Sequence, residues 1–124
     1  MPLQMIPRVL GDVTIVECRG RLVLGEESAD LRNLVKSVLP ESKKIVLDLG
    51  GVNFIDSSGL GVLAGLFTSA RNAGGAIKLA NMDRQMKGLM QMTRLLTVFE
   101  VFDGAQDAAA SFNRAAGQSS PAEW

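Results

Sequence analysis

IVLDLGGVNFIDSSGLG, residues 45–61, is the stretch that decides the fold of this chain. Its first five residues are nearly all apolar, as is typical of a short strand that is buried on both faces. Gly50 and Gly51 are predicted to break that strand, and residues 52–55 lead to a junction at Asp56. Apolar residues then recur with helical spacing, which predicts a helix over about residues 58–72. The segment therefore predicts a strand, a junction and a helix in direct succession.

The junction carries one acid and two hydroxyls, Asp56, Ser57 and Ser58, where the first backbone N–H groups of the helix lack partners. One interpretation is that Asp56 or Ser57 simply caps the helix. The other is that a serine here accepts a phosphate, because a helix N-terminus offers free donors and partial positive charge. The two interpretations are compatible, and the spacing alone leaves both open.

The rest of the chain alternates between strand and helix patterns. Further strands are predicted at Val9–Leu10 and Val13–Cys18, joined as a hairpin through Gly11 and Asp12, and at Ala76–Ala80 and Val98–Phe102. Arg21–Leu24 is expected to continue the extended structure of the second strand past Gly20. Further helices are predicted around Leu31–Val38, with Ser28 as N-cap and Pro40 beyond the end, around Met86–Thr93, starting near Asn81 or Asp83, and around Ala108–Phe112, capped by Asp103.

This order of elements indicates an α/β fold with one mixed sheet of about five strands, parallel helix crossovers and about four α-helices. One domain is expected over residues 1–116, followed by a flexible C-terminal tail at 117–124. Gly61 and Gly65 are four residues apart in the second helix and are expected to allow close packing there. Sites in such sheets form outside the carboxyl ends of the parallel strands, where the junction lies.

The composition argues against several classes of function. The 13 basic and 13 acidic residues cancel, so bulk charge gives no reason to expect a nucleic-acid partner. The chain has no histidine, and its single cysteine, Cys18, stands in an apolar run that is typical of a buried thiol. We therefore expect no cofactor and no metal. No apolar run approaches the ~20 residues that cross a bilayer, so we expect a cytoplasmic protein without direct membrane insertion.

Enzymatic activity is not expected either. Nothing around Ser57 supplies the base that a nucleophilic serine requires. The junction is not a P-loop, because the Gly-Lys-Ser/Thr ending is absent. A carboxylate metal site built from Asp48, Asp56 and Asp83 has no support in the spacing of these residues.

Residues 45–49 and 52–63 resemble the signature of STAS-domain proteins, the anti-sigma factor antagonists, and the order of elements is similar over about residues 8–113. The resemblance implies that Ser57 is phosphorylated by a partner that is both anti-sigma factor and serine kinase. It implies that the unphosphorylated chain binds this partner and frees a sigma factor, and that a serine phosphatase reverses the modification. STAS domains also serve as scaffolds of stress-sensing complexes and as small subunits of lipid-transport ATPases, which are the alternative functions.

The same resemblance assigns roles within a switch loop. Asp56 would orient the loop, Ser58 and Gly59 would begin the helix, and Gly59 and Gly61 would leave the approach to Ser57 open. Leu60, Met82 and Met86 are candidates for the partner-docking face, with core packing as the alternative for both methionines.

One departure from the family pattern concerns the segment before the first helix. Many members have Gly-Glu-Leu-Asp there, whereas this chain has Gly20-Arg21-Leu22-Val23. The acidic pair is missing, although Glu26 and Glu27 follow soon after. This departure bears on the identity of the partner more than on the fold.

Overall fold

The structure is a computed structural model that describes residues 3–94 and 99–118, without the side chains of 113–118. Its elements are β1 (Gln4–Leu10), β2 (Val13–Leu22), α1 (Glu26–Val38), β3 (Lys44–Ile55), α2 (Ser57–Asn72), β4 (Ala76–Ala80), α3 (Arg84–Met92), β5 (Val101–Phe102) and α4 (Ala105–Gln118). The five strands form one sheet in the order β1-β2-β3-β4-β5. β1 is antiparallel to β2, and the other neighbours are parallel. The predicted α/β fold with a mixed sheet is confirmed.

Both faces of the sheet are covered, which explains the almost wholly apolar sequence of β3. Ile45 and Leu47 belong to the larger core cluster, which includes the buried apolar side chains of α1, α2 and α3. Val46, between them, belongs to a second cluster with three alanines of α4. Successive side chains of a strand point to opposite faces, so a strand covered on both sides is apolar at nearly every position.

The glycine pair after Leu49 does not break the strand, contrary to the sequence prediction. β3 continues to Ile55, and the register between β2 and β3 shifts near Arg19 and again after Gly20. A Cβ atom on Gly51 would lie 2.5 Å from Cγ of Arg19 and 2.9 Å from the carbonyl oxygen of Cys18. Gly51 therefore permits the close approach of β2 at an irregular register, as glycines do in bulged strands.

Two predicted helix caps are wrong. Gly25 precedes α1 and makes no side-chain cap, while the buried Ser28 donates its hydroxyl to the Val23 carbonyl oxygen at 2.6 Å. The predicted Asp103 cap fails because α4 begins one residue later than that cap requires, with Gly104 accepting the first helical hydrogen bond from Ala108. Hydroxyl and carboxyl side chains near a helix start can bond to other groups, so the presence of serine or aspartate does not by itself fix the first residue of these two helices.

The last strand and the last helix also differ from expectation in their bounds. β5 comprises Val101–Phe102 alone, and Val98 of the predicted strand lies outside the described residues. α4 extends to Gln118, into the segment expected as a tail, and residues 119–124 lie outside the description. Within the described chain, no helix is long and apolar enough to cross a membrane.

A nearly buried lysine holds α4 against the sheet. Lys78 of β4 donates its Nζ to the Ser111 hydroxyl of α4 at 2.6 Å and lies 2.9 Å from a carboxylate oxygen of Glu100. The same nitrogen lies 4.3 Å from the ring centroid of Phe112. The ammonium thus has a hydroxyl, a carboxylate and an aromatic face as partners, which compensates for its removal from water.

Candidate functional site

The junction between β3 and α2 is organised by the carboxylate of Asp56. Its Oδ1 accepts a hydrogen bond from the backbone N–H of Gly59 at 2.9 Å, so Asp56 is the N-cap of α2, as one of the sequence interpretations has it. Its Oδ2 accepts a second hydrogen bond, from the N–H of Leu24 at 3.2 Å. These N–H groups, Gly59 first, lower the pKa of Asp56 below its usual value. One ionised side chain therefore joins the loop before α1 to the start of α2.

Ser57 is the first residue of α2 and is exposed, whereas Ser58 is half-buried. Among the described residues, the Ser57 hydroxyl takes part in no side-chain hydrogen bond. Its backbone follows directly from the capping residue, so its position is fixed although its hydroxyl is free. This hydroxyl can be reached by an external reagent without any rearrangement of the loop.

Gly59 has a different role from the one predicted. It is buried, and a Cβ atom there would overlap the carbonyl oxygen of Leu22 and lie 2.8 Å from Cγ1 of Ile55. The glycine therefore brings the first turn of α2 against the end of β2 rather than opening the approach to Ser57. Gly61 is exposed, and a Cβ there would meet nothing within 4 Å, while its role in leaving the approach to Ser57 open stays a prediction.

The outer face of α2 is poor in side chains. Gly61 and Gly65 are both exposed, and a Cβ on either would meet no atom within 4 Å. The prediction that this pair allows close packing inside the protein is therefore wrong. Both glycines follow Ser57 at helical spacing of four residues, and they leave a smooth surface along the helix from the serine onward.

Leu60, Met82 and Met86, the candidates for a docking face, lie in the core. They are 7%, 6% and 3% exposed and belong to the larger apolar cluster. Core packing, the alternative given for the methionines, describes their surroundings. Met86 also borders a small, partly open pocket of about 40 Å³ beside Phe54 and Leu89.

Sequence reasoning missed three exposed residues that surround the junction. Leu24 is 75% exposed in the loop that Asp56 holds, and Phe54 is 50% exposed near the end of β3. Arg21 is the partner of Phe54 in the β2–β3 register, and its guanidinium carbon lies 5.5 Å from the ring centroid. Leu24 is predicted as part of extended structure, but β2 ends at Leu22 and Leu24 lies in the loop before α1.

The remaining chemistry-bearing side chains are occupied separately. Asp48 accepts hydrogen bonds from Gly50 N–H and from the Asn81 amide, and Asp83 caps α3 through the N–H of Met86. The described residues contain no group of three or more potential metal ligands. Burial raises the pKa of the Cys18 thiol to about 12, so it is an inert part of the core, as predicted.

Comparison with known proteins identifies the class to which this fold and site belong. The family model of the STAS domain matches residues 4–108, and the chain belongs to the STAS-domain family. The anti-sigma-B factor antagonist of Bacillus subtilis is 32% identical over 84 residues, which cover 67% of this chain and 64% of that protein. The chain thus aligns with somewhat less than two thirds of that relative.

Solved structures share the fold at lower identity. An anti-sigma factor antagonist from Mycobacterium paratuberculosis has a TM-score of 0.77 at 19% identity, covering 90% of this chain and 94% of that one. The Bacillus cell fate determinant SpoIIAA in its phosphorylated form has a TM-score of 0.68 at 18% identity, covering 89% of this chain and 98% of that one.

Proposed function

We propose that this chain is a cytoplasmic anti-sigma factor antagonist whose binding is switched by phosphorylation of Ser57. Unphosphorylated, it binds an anti-sigma factor that is also a serine kinase, and the sigma factor is released. The kinase transfers the γ-phosphoryl group of ATP to the Ser57 oxygen, and a serine phosphatase later removes it. The chain itself has no catalytic activity in this scheme.

The observation that carries the proposal is the setting of Ser57. Its hydroxyl is exposed and free of side-chain hydrogen bonds among the described residues, while Asp56 fixes the backbone beside it. A kinase substrate needs an accessible hydroxyl, and a switch needs that hydroxyl at a defined place on a docking surface. Ser58 meets the first requirement less well because it is half-buried.

A phosphate on Ser57 should act on the interface rather than on the fold. A phosphoserine carries about −1.5 to −2 charges at neutral pH. At a helix N-terminus this charge is favourable by roughly 0.3–1 kcal/mol. In a fitted interface without a matching cation, the same charge must be desolvated at a cost of several kcal/mol. Since about 1.4 kcal/mol is tenfold in affinity, binding should fall by orders of magnitude while the fold persists.

The first test identifies the phosphoacceptor. The partner kinase is purified as a complex with this chain from its own cells, and the chain is incubated with it and ATP. Mass spectrometry should find one phosphate on Ser57, Ser58→Ala should be modified as well as the parent, and Ser57→Ala should not be modified. Phosphate on Ser58 alone would contradict the assignment.

The second test separates an interface switch from a folding switch. Thermal melting and partner titration are compared for the unmodified chain, the phosphorylated chain, Ser57→Asp and Ser57→Ala. We expect similar melting temperatures throughout, lost binding after phosphorylation, partial loss for Ser57→Asp and retained binding for Ser57→Ala. A sharply lowered melting temperature that accounts for the lost affinity would refute the mechanism.

A further inference from the structure

Arg21, Leu24 and Phe54 are exposed near the carboxyl ends of β2 and β3, the edge of the sheet at which α2 begins, and we call them the anchor patch. Leu24 and Phe54 are 75% and 50% exposed, although both are large apolar side chains. Arg21 and Phe54 are cross-strand partners, and the guanidinium carbon lies 5.5 Å from the Phe54 ring centroid. The patch therefore combines an aromatic ring, an aliphatic side chain and a cation at the carboxyl ends of two strands.

The patch and Ser57 are held in one rigid frame. The N–H of Leu24 donates to one oxygen of Asp56, whose other oxygen caps the helix that begins with Ser57. Phe54 lies two residues before Asp56, on the strand that ends at the junction. Ser57 and the anchor patch therefore lie at the same edge of the sheet.

The charge of Arg21 is available to a partner. Arg21 takes part in none of the ion pairs formed among the described side chains. Of the neighbouring carboxylates, Asp56 accepts backbone hydrogen bonds and Asp83 caps α3, while Glu26 and Glu27 lie in the first turn of α1. Aromatic residues and arginine are enriched where proteins bind proteins, and a stacked guanidinium loses little freedom when it pairs.

We propose that Arg21, Leu24 and Phe54 select the kinase partner, whose docking surface carries a carboxylate that pairs with Arg21 and an apolar recess that receives Phe54 and Leu24. This inference rests on the proposed function and adds the chemistry by which the partner is recognised.

The test uses the full chain and the partner kinase isolated with it, with affinities measured by titration. Arg21→Glu, Phe54→Ala and Leu24→Ala should each weaken binding at least about tenfold. Arg32→Glu, at an exposed position of α1, and Val9→Ala, 74% exposed at the opposite end of the sheet, are matched controls and should stay within about twofold. Thermal melting checks that every variant is folded.

Two further measurements address the carboxylate directly. The affinity of the parent chain should fall with added salt, and Arg21→Gln should reduce that dependence because a charge pair has been removed. Acidic residues of the partner are then replaced by lysine one at a time, and one replacement should restore binding to Arg21→Glu. Unchanged binding by Arg21→Glu overturns the proposal, even if the apolar variants bind weakly.

The outcomes show separately whether the anchor patch and the proposed function are correct. If all three patch variants bind as the parent does and phosphorylation of Ser57 still abolishes binding, the proposed function stands and the anchor patch is wrong. If phosphorylation of Ser57 leaves partner binding unchanged, or if no such partner is recovered, the proposed function fails and this inference fails with it.

Discussion

Replacing Gly59 by alanine should destabilise the protein, whereas the same change at Gly61 should stabilise it. Both glycines lie in the first two turns of α2, so alanine improves the helix propensity of each by up to about 1 kcal/mol. At Gly59 the new methyl group would overlap the Leu22 carbonyl oxygen and crowd Ile55, 2.8 Å away. A backbone oxygen in a sheet cannot turn aside as a side chain can, so the cost lies near the upper end of the ~1–3 kcal/mol for overpacking.

The expected balance is a loss of about 2 kcal/mol for Gly59→Ala and a gain of about 0.5–1 kcal/mol for Gly61→Ala, where a Cβ meets nothing within 4 Å. At roughly 4 °C per kcal/mol for a chain of this length, the melting temperature should fall by about 8 °C in the first variant. It should rise by about 2–4 °C in the second.

Calorimetry and denaturant titration of the two variants beside the parent give the comparison. Gly61→Ala is the matched control, because it makes the same chemical change in the same helix without the contact to β2. A Gly59→Ala variant that melts at or above the parent would refute the close approach inferred at the helix start. A destabilised Gly61→Ala variant would refute the open outer face of α2.

Three further predictions concern single side chains. Asp56 has a lowered pKa, so its stabilising effect is complete above the unfolded pKa of about 4 and is lost as the pH falls through the folded pKa. Asp56→Asn, which keeps a capping oxygen but no charge, should therefore flatten the acid side of a plot of melting temperature against pH and lower the melting temperature at pH 7, where the carboxylate of the parent is ionised; equal melting temperatures at pH 7 would contradict this role. Lys78→Ala should lower the free energy of unfolding by about 2–3 kcal/mol, and Lys78→Met by less than about 1 kcal/mol, because a methionine still fills the space beside Phe112. Urea titration compares the two variants, and equal losses of unfolding free energy would contradict the packing role of the side chain. The Cys18 thiol, with a pKa raised to about 12, should resist a thiol reagent in the native state and react at once in denaturant. The absorbance of the reagent monitors the reaction, and rapid labelling of the native protein would contradict the burial of the thiol.

The sequence predicts most of the fold because the apolar periods and the turns agree with each other. The hairpin at Gly11 and the doubly buried start of β3 follow from local composition, and Asp56 and Asp83 are each one of two cap candidates that it offers. The structure contains all four features. The continuation of β3 through Gly50 and Gly51 does not follow, because the pairing of β2 with β3 on a shifted register outweighs a local breaker signal.

For the candidate site, the sequence predicts the position of the junction in the chain but not which side chains around it are exposed. Asp56 and Ser57 stand in a sequence pattern that defines a helix start, so their positions could be inferred. The face of α2 on which Gly61 lies could not be inferred from Gly61 itself, since a glycine adds nothing to an apolar period. That face is set by the neighbouring leucines. The exposure of Phe54 also depends on irregular strand pairing, which a strict alternation of inward and outward residues does not describe.

The strands lie across the sheet in the order in which they occur in the chain. No strand has to be inserted between two earlier ones, so each strand can pair with a neighbouring strand that has already been translated. Assembly can therefore follow translation from the first hairpin onward, which limits the entropy lost in closing long loops. α4 is made last, and only then is the apolar face formed by Val13, Ile15 and Val46 covered. A chain released before α4 would expose that face, and the last helix thus protects a finished sheet from aggregation.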